Sequence, residues 1–238
     1  MGDIDSKLPS KLRARVDSSG KAYAGSQRQI QQWVNQRPRE LSVAIAAAFG
    51  GDLTAEDIEW VSPLARCRYA EYRDADFLRV VGLSAFANHL RSFWPQRGPC
   101  WDALATHRDG CILVEAKSHI AELYAGGCLA SEKSLRIIRG SLDKAKDWLH
   151  VPREANWLGP LYQSANRLAY LYFLREVARV PCFLANIYFI DDPRSPTQLE
   201  QWKVALREAA CALGLPAEIA FCKSVFLPAN PQGNGSLR

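Results

Sequence analysis

Residues 98–123 read GPCWDALATHRDGCILVEAKSHIAEL. Two apolar runs, Cys100–Ala105 and Cys111–Lys117, flank the step His107-Arg108-Asp109-Gly110. Asp-Gly between apolar runs is a strong hairpin signal, so the stretch predicts two antiparallel strands and a tight turn. Ile112, Leu113 and Val114 make the second strand apolar on both faces, as expected of a strand covered from both sides. Side chains alternate along a strand, which puts Cys111, Leu113, Glu115 and Lys117 on one face. Pairing across the turn can then bring Asp102 beside Glu115.

Working outward, Ser26 is placed to cap a helix from Gln27 to about Phe49, interrupted near Pro38. Ile30, Val34, Leu41, Ile45 and Ala48 form its apolar stripe. Ile58–Val61 reads as a short strand. The charged stretch Arg66–Gly82 turns helical in its second half, and Phe86–Phe93 is another short helix. Beyond the hairpin come helices over Ser131–Leu149 and Pro160–Val177, an apolar strand Cys182–Ile190, a helix Thr197–Leu213 and a last strand Ile219–Leu227. This order predicts an α/β domain with a mixed central sheet of about four to five strands flanked by helices. The expected layout is a flexible basic leader over 1–26, one domain over 27–228 and a flexible tail over 229–238. Within the domain, 27–95 is mainly helical and the core that carries the chemistry runs over 96–228.

The chain of 238 residues is 48% hydrophobic, which suits a globular domain. No apolar run approaches the ~20 residues that cross a bilayer, and the polar N-terminus does not read as a signal peptide, so no membrane partner is expected. Seven scattered cysteines without a CxxC pair speak against structural zinc and suit a reducing, cytoplasmic setting. The net charge of +5 lies in residues 1–39, where eight Lys/Arg meet three Asp, and the rest of the chain is balanced. A partner must therefore be argued from a site rather than from bulk charge.

Glu115 and Lys117 emerge side by side at the end of a buried strand. The plain reading is an ion pair at a strand exit. Asp102 changes the weighting, because two neighbouring carboxylates repel unless a cation lies between them. Magnesium takes one or two carboxylates and keeps other positions for water and phosphate. A lysine beside such a metal can orient or help deprotonate an attacking water. The set therefore suits hydrolysis of a phosphodiester.

Pro99-x-x-Asp102 followed, after a gap of twelve residues, by Glu115-Ala116-Lys117 resembles the PD-(D/E)XK nuclease superfamily, with its restriction-endonuclease-like core. The likeness covers roughly residues 55–227 in order of elements but only a few residues in identity. The proline stands three before the aspartate rather than directly before it. The resemblance implies Asp102, Glu115 and the carbonyl of Ala116 as ligands of Mg2+ (or Mn2+), and Lys117 as the residue that positions the water. It also implies a glutamate from an upstream helix, for which Glu71 is the candidate and Asp74 the alternative. A glutamine–tyrosine pair on a later helix is a further family feature. Gln163 and Tyr170 resemble it loosely, with Arg167 at the usual spacing of four and suited to a phosphate contact. The implied activity is that of a metal-dependent nuclease, a hydrolase acting on nucleic acid, with DNA the expected form. A dimer would serve cleavage of both strands of a duplex.

Around this centre, His119 shares the parity of Lys117 if the strand continues, as an orienting group, a phosphate contact or a metal ligand, with a loop histidine held by a structural hydrogen bond as the plain reading. Lys133 and Arg136, with Arg139, offer a basic helix edge to a nucleic-acid backbone, though a solvated helix face explains them equally. No glycine-rich nucleotide loop occurs. The competing expectation is a protein of the same fold that no longer cleaves and binds nucleic acid or protein.

Overall fold

The computed structural model describes residues 16–108, 110–124 and 126–229. Most of the expected leader, Asp109 of the hairpin turn and the tail from residue 230 lie outside the described residues.

Among the described residues five strands form one sheet: β1 (Glu59–Ser62), β2 (Ala103–His107), β3 (Gly110–Lys117), β4 (Cys182–Ile190) and β5 (Cys222–Pro228). They lie side by side in chain order. β1, β2 and β3 pair antiparallel, and β3, β4 and β5 pair parallel. Among the described residues seven α-helices flank the sheet: α1 (Gly25–Gln36), α2 (Pro38–Phe49), α3 (Asp74–Val80), α4 (Ala87–Phe93), α5 (Glu132–Trp148), α6 (Tyr162–Tyr172) and α7 (Leu199–Ala212). The α/β class and the single mixed sheet thus stand as expected.

Alternation along β3 divides the core into two layers. Ile112, Val114 and Ala116 pack with Ile30, Trp33, Val34, Leu41, Ile45 and Phe49, so α1 and α2 cover one face. Cys111 and Leu113 pack with residues of α3 to α7, among them Phe77, Leu90, Ile138, Leu168 and Trp202, which cover the other. Cys111 to Ala116 are all buried, the burial that a run apolar on both faces requires. Two buried indoles find backbone partners: Trp157 Nε1 donates to the Leu213 carbonyl at 2.9 Å and Trp202 Nε1 to that of Phe189 at 2.9 Å.

Several local expectations are corrected. Ser26 does not cap α1. The helix begins at Gly25 after an extended Ala24 that makes no side-chain cap bond. The last part of the expected leader is a built turn: Asp17 Oδ1 accepts from Ser19 N and Lys21 N, and Ala22 is buried with its N–H on Gln31 Oε1. The helix expected over Pro160–Val177 is α6 continued by one π-turn over Phe173–Val177. The strand expected at Cys100 starts only at Ala103. Trp101 instead bridges to Tyr72, so the segment before β2 pairs with the chain preceding α3.

Candidate active site

The hairpin brings the acidic residues together. β2 and β3 pair Ala103 with Val114, which sets Asp102 opposite Glu115 one step further along. Asp102 leaves β2 at this point, and its Oδ2 accepts the Ala116 N–H at 2.7 Å. The bond pins the carboxylate to the edge of β3, on the side from which Glu115 and Lys117 emerge.

Glu115 is 6% exposed and sits at the centre of an ion cluster. Lys117 Nζ donates to its Oε1 at 2.5 Å, and Arg167 Nε donates to its Oε2 at 2.6 Å. Lys117 is held from the other side by Gln163 Oε1 at 2.9 Å. Arg167 completes its bonds with Asn166 Oδ1 at 2.8 Å and the Cys100 carbonyl at 3.0 Å, and its guanidinium lies 4.9 Å from the Trp101 ring centroid. α6 therefore reaches the hairpin through Gln163 and Arg167, one helical turn apart.

Glu71 lies at the same place, but not on a helix. It stands in the extended segment next to Tyr72, with Oε1 accepting from Gln27 Nε2 of α1 at 2.9 Å and Oε2 facing the Cys100 thiol at 3.9 Å. These groups line one cleft of about 870 Å³, together with Ser26, Trp94, Arg97, Gly98, Tyr162 and the Gly126-Gly127 step.

The electrostatics are uneven. Burial and then the Glu115 charge push the Asp102 carboxyl well above its ordinary range, against Lys117 and the Ala116 N–H. Burial also raises Glu71, with Glu115 adding to it and Gln27 opposing. For Glu115, burial alone acts upward, but Arg167 and Lys117 outweigh it and hold the group below its ordinary value. Three of the cleft's four carboxylates, on Asp102, Glu115 and Glu71, thus influence one another, and Lys117 and Arg167 both sit on Glu115.

The remaining expected residues fall elsewhere. Tyr170 is fully buried against Phe77, Trp94 and Trp101 and does not face the cleft. Its position, one turn beyond Arg167 on a helix buried nearly all round, makes it a core residue. His119 lies past the end of β3, so strand parity does not apply, and its Nε2 lies 3.4 Å from Glu122 Oε1. Lys133 and Arg136 are exposed on α5 and do not line the cleft. Asp74, the alternative to Glu71, is at the start of α3, binds the Arg97-Gly98 backbone and does not line the cleft. Gln27, Asn166 and Cys100 contribute contacts that no short motif carries.

Among the described residues no group of three His, Cys, Asp or Glu side chains is gathered closely enough to cage a metal by itself. The donor set that remains, two carboxylates and the Ala116 carbonyl, is of the open kind that leaves most positions of a hard dication to water and phosphate. The raised Asp102 and Glu71 carboxyls fit such a cation, since they lack a counter-charge of their own. No protein-family model matches the chain, and comparison with curated proteins and with solved structures returns no significant match.

Proposed function

We propose that this chain is a divalent-metal-dependent nuclease with a restriction-endonuclease-like core, cleaving phosphodiester bonds of nucleic acid, with DNA as the first substrate to try. The observation that carries the reading is the meeting of Asp102 and Glu115 across the hairpin, with Lys117 beside them on the floor of one cleft. The order hairpin, helix with Gln163, parallel strand supports it further.

Asp102, Glu115 and the Ala116 carbonyl would hold Mg2+, or Mn2+ in its place. The ion would supply a Lewis acid for the phosphoryl oxygens and lower the pKa of a water. Gln163 and Glu115 hold the Lys117 ammonium between them, where it can orient a water and steady charge developing on phosphate. Arg167 keeps Glu115 ionised and fixed, so the expected phosphate contact becomes a positioning role. Buried Asp102 holds a proton more readily than an ordinary carboxyl until a cation competes for it.

One observation favours a second reading. Both Glu115 oxygens are engaged by the chain's own cations, the arrangement of a closed structural cluster. On that reading the protein binds nucleic acid or another protein without cleaving. Labelled single-stranded, duplex and branched DNA and RNA, incubated with Mg2+, Mn2+ or EDTA, separate the two. The nuclease reading predicts products that need the metal and vanish in Asp102→Asn. Binding without products under every condition contradicts it.

A further inference from the structure

A phosphodiester approaching this cleft meets carboxylates on Glu71, Asp102, Glu115 and Glu122, and among the described residues three cationic side chains line the same walls. Lys117 and Arg167 are both ion-paired to Glu115. The third is Arg97. It is exposed, and its side chain makes no hydrogen bond or ion pair among the described residues.

The placement of Arg97 is built rather than incidental. Its backbone takes φ 66°, a left-handed conformation uncommon for a residue with a side chain. The Asp74 carboxylate fixes that turn, accepting Arg97 N at 2.9 Å and Gly98 N at 2.9 Å. Gly98 lets the loop settle on the core, because a Cβ there would stand 2.1 Å from the Tyr170 hydroxyl. Tyr170 belongs to α6, so the helix that places Gln163 and Arg167 also seats the loop bearing Arg97. An arginine serving only solubility needs neither the left-handed turn nor the two-bond anchor.

We propose that Arg97 is the residue that receives a substrate phosphate in this cleft, and that Asp74 is the positioning residue that holds it there. The inference rests on the nuclease reading and adds the recognition of the substrate anion to it. A guanidinium presents a planar fork that matches phosphate oxygens, and it keeps its charge at any working pH. The residue acts in binding and not on the reacting atoms, so its loss is read in KM and in salt dependence.

The test uses the full chain, a single-stranded oligonucleotide and Mg2+, with Arg97→Ala, Arg97→Lys, Asp74→Ala and Asp74→Asn. Arg207→Ala, an exposed α7 cation outside the cleft, controls for charge. Arg97→Ala is expected to raise KM about tenfold while kcat stays within about twofold, the loss of one charge-assisted contact. The slope of log affinity against log salt should shrink by about 0.7, one phosphate on a single strand. Arg97→Lys should keep that slope. Asp74→Ala should copy the rise in KM without a change of charge on Arg97, and Asp74→Asn, which keeps an acceptor, should restore part of it. Wild-type cleavage with an unchanged KM and slope in Arg97→Ala overturns the inference alone, and so does a fall in kcat with KM constant. A wild-type chain that does not cleave the oligonucleotide, whether or not it binds, overturns the nuclease reading and this inference with it.

Discussion

At the scale of single residues, the cluster turns on how charge is shared. Arg167 has only 5% exposure and bonds Glu115, Asn166 and the Cys100 carbonyl, so removing its head group strands a buried carboxylate. Arg167→Met is expected to destabilise the fold by about 3–5 kcal/mol, the cost of breaking a buried pair from one side. Denaturant unfolding measures it, and a change below about 1 kcal/mol would show that Lys117 alone satisfies Glu115. Asp102 works in the opposite sense. Its carboxyl is raised in the fold, so the native state binds its proton more tightly than the unfolded chain. Its ionisation therefore opposes folding increasingly as pH climbs from about 4 through the raised pKa. Asp102→Asn should raise Tm in EDTA at pH 7.5, by about 3 °C for each kcal/mol relieved, and by clearly less at pH 5. An equal gain at both pH values would contradict the raised carboxyl. At this scale Asp102, Glu115, Lys117 and Gln163 were legible from spacing and alternation. Arg97 was not, because nothing in a single sequence marks a left-handed arginine.

At the scale of elements, the hairpin and β3 could be read because an Asp-Gly turn and a two-faced apolar run are local signals. The segment before β2 could not. Cys100, Trp101 and Asp102 look like strand, yet Trp101 pairs with Tyr72, a partner that only the tertiary fold supplies. The same pairing puts Glu71 on extended chain where a helix was expected, and it still delivers the carboxylate to the cleft. The loop at Gly98 gives a test at this scale. Gly98→Ala forces a Cβ against the Tyr170 hydroxyl, while Tyr170→Phe removes the oxygen it meets. The double variant should recover much of the stability lost in Gly98→Ala, so a double-mutant cycle should show a coupling of about 1 kcal/mol or more. Independent effects would mean the loop lifts away from α6.

At the scale of the whole molecule, the sheet is the device that assembles the site. α1 and α2 close one face, and Gln27 passes from that layer to hold Glu71. The helices on the other face bring Gln163, Asn166 and Arg167 to the ends of β2 and β3. No described helix is long and apolar enough to cross a membrane. The α/β class and the mixed sheet were foreseeable from the alternation of strand and helix patterns. Which helices cover which face was not, since that depends on pairing between distant strands.

The cleavage of a labelled oligonucleotide in Mg2+ by the wild-type chain and by Lys117→Ala, both shown to be folded by thermal melting, decides whether this cleft hydrolyses phosphodiester bonds. A nuclease site built on Asp102, Glu115 and Lys117 should give metal-dependent products from the wild type and a loss of at least about 100-fold in the variant, the size expected when a positioned proton-handling and charge-stabilising group is removed. Equal rates from the two proteins, or no cleavage by the wild type, would contradict it.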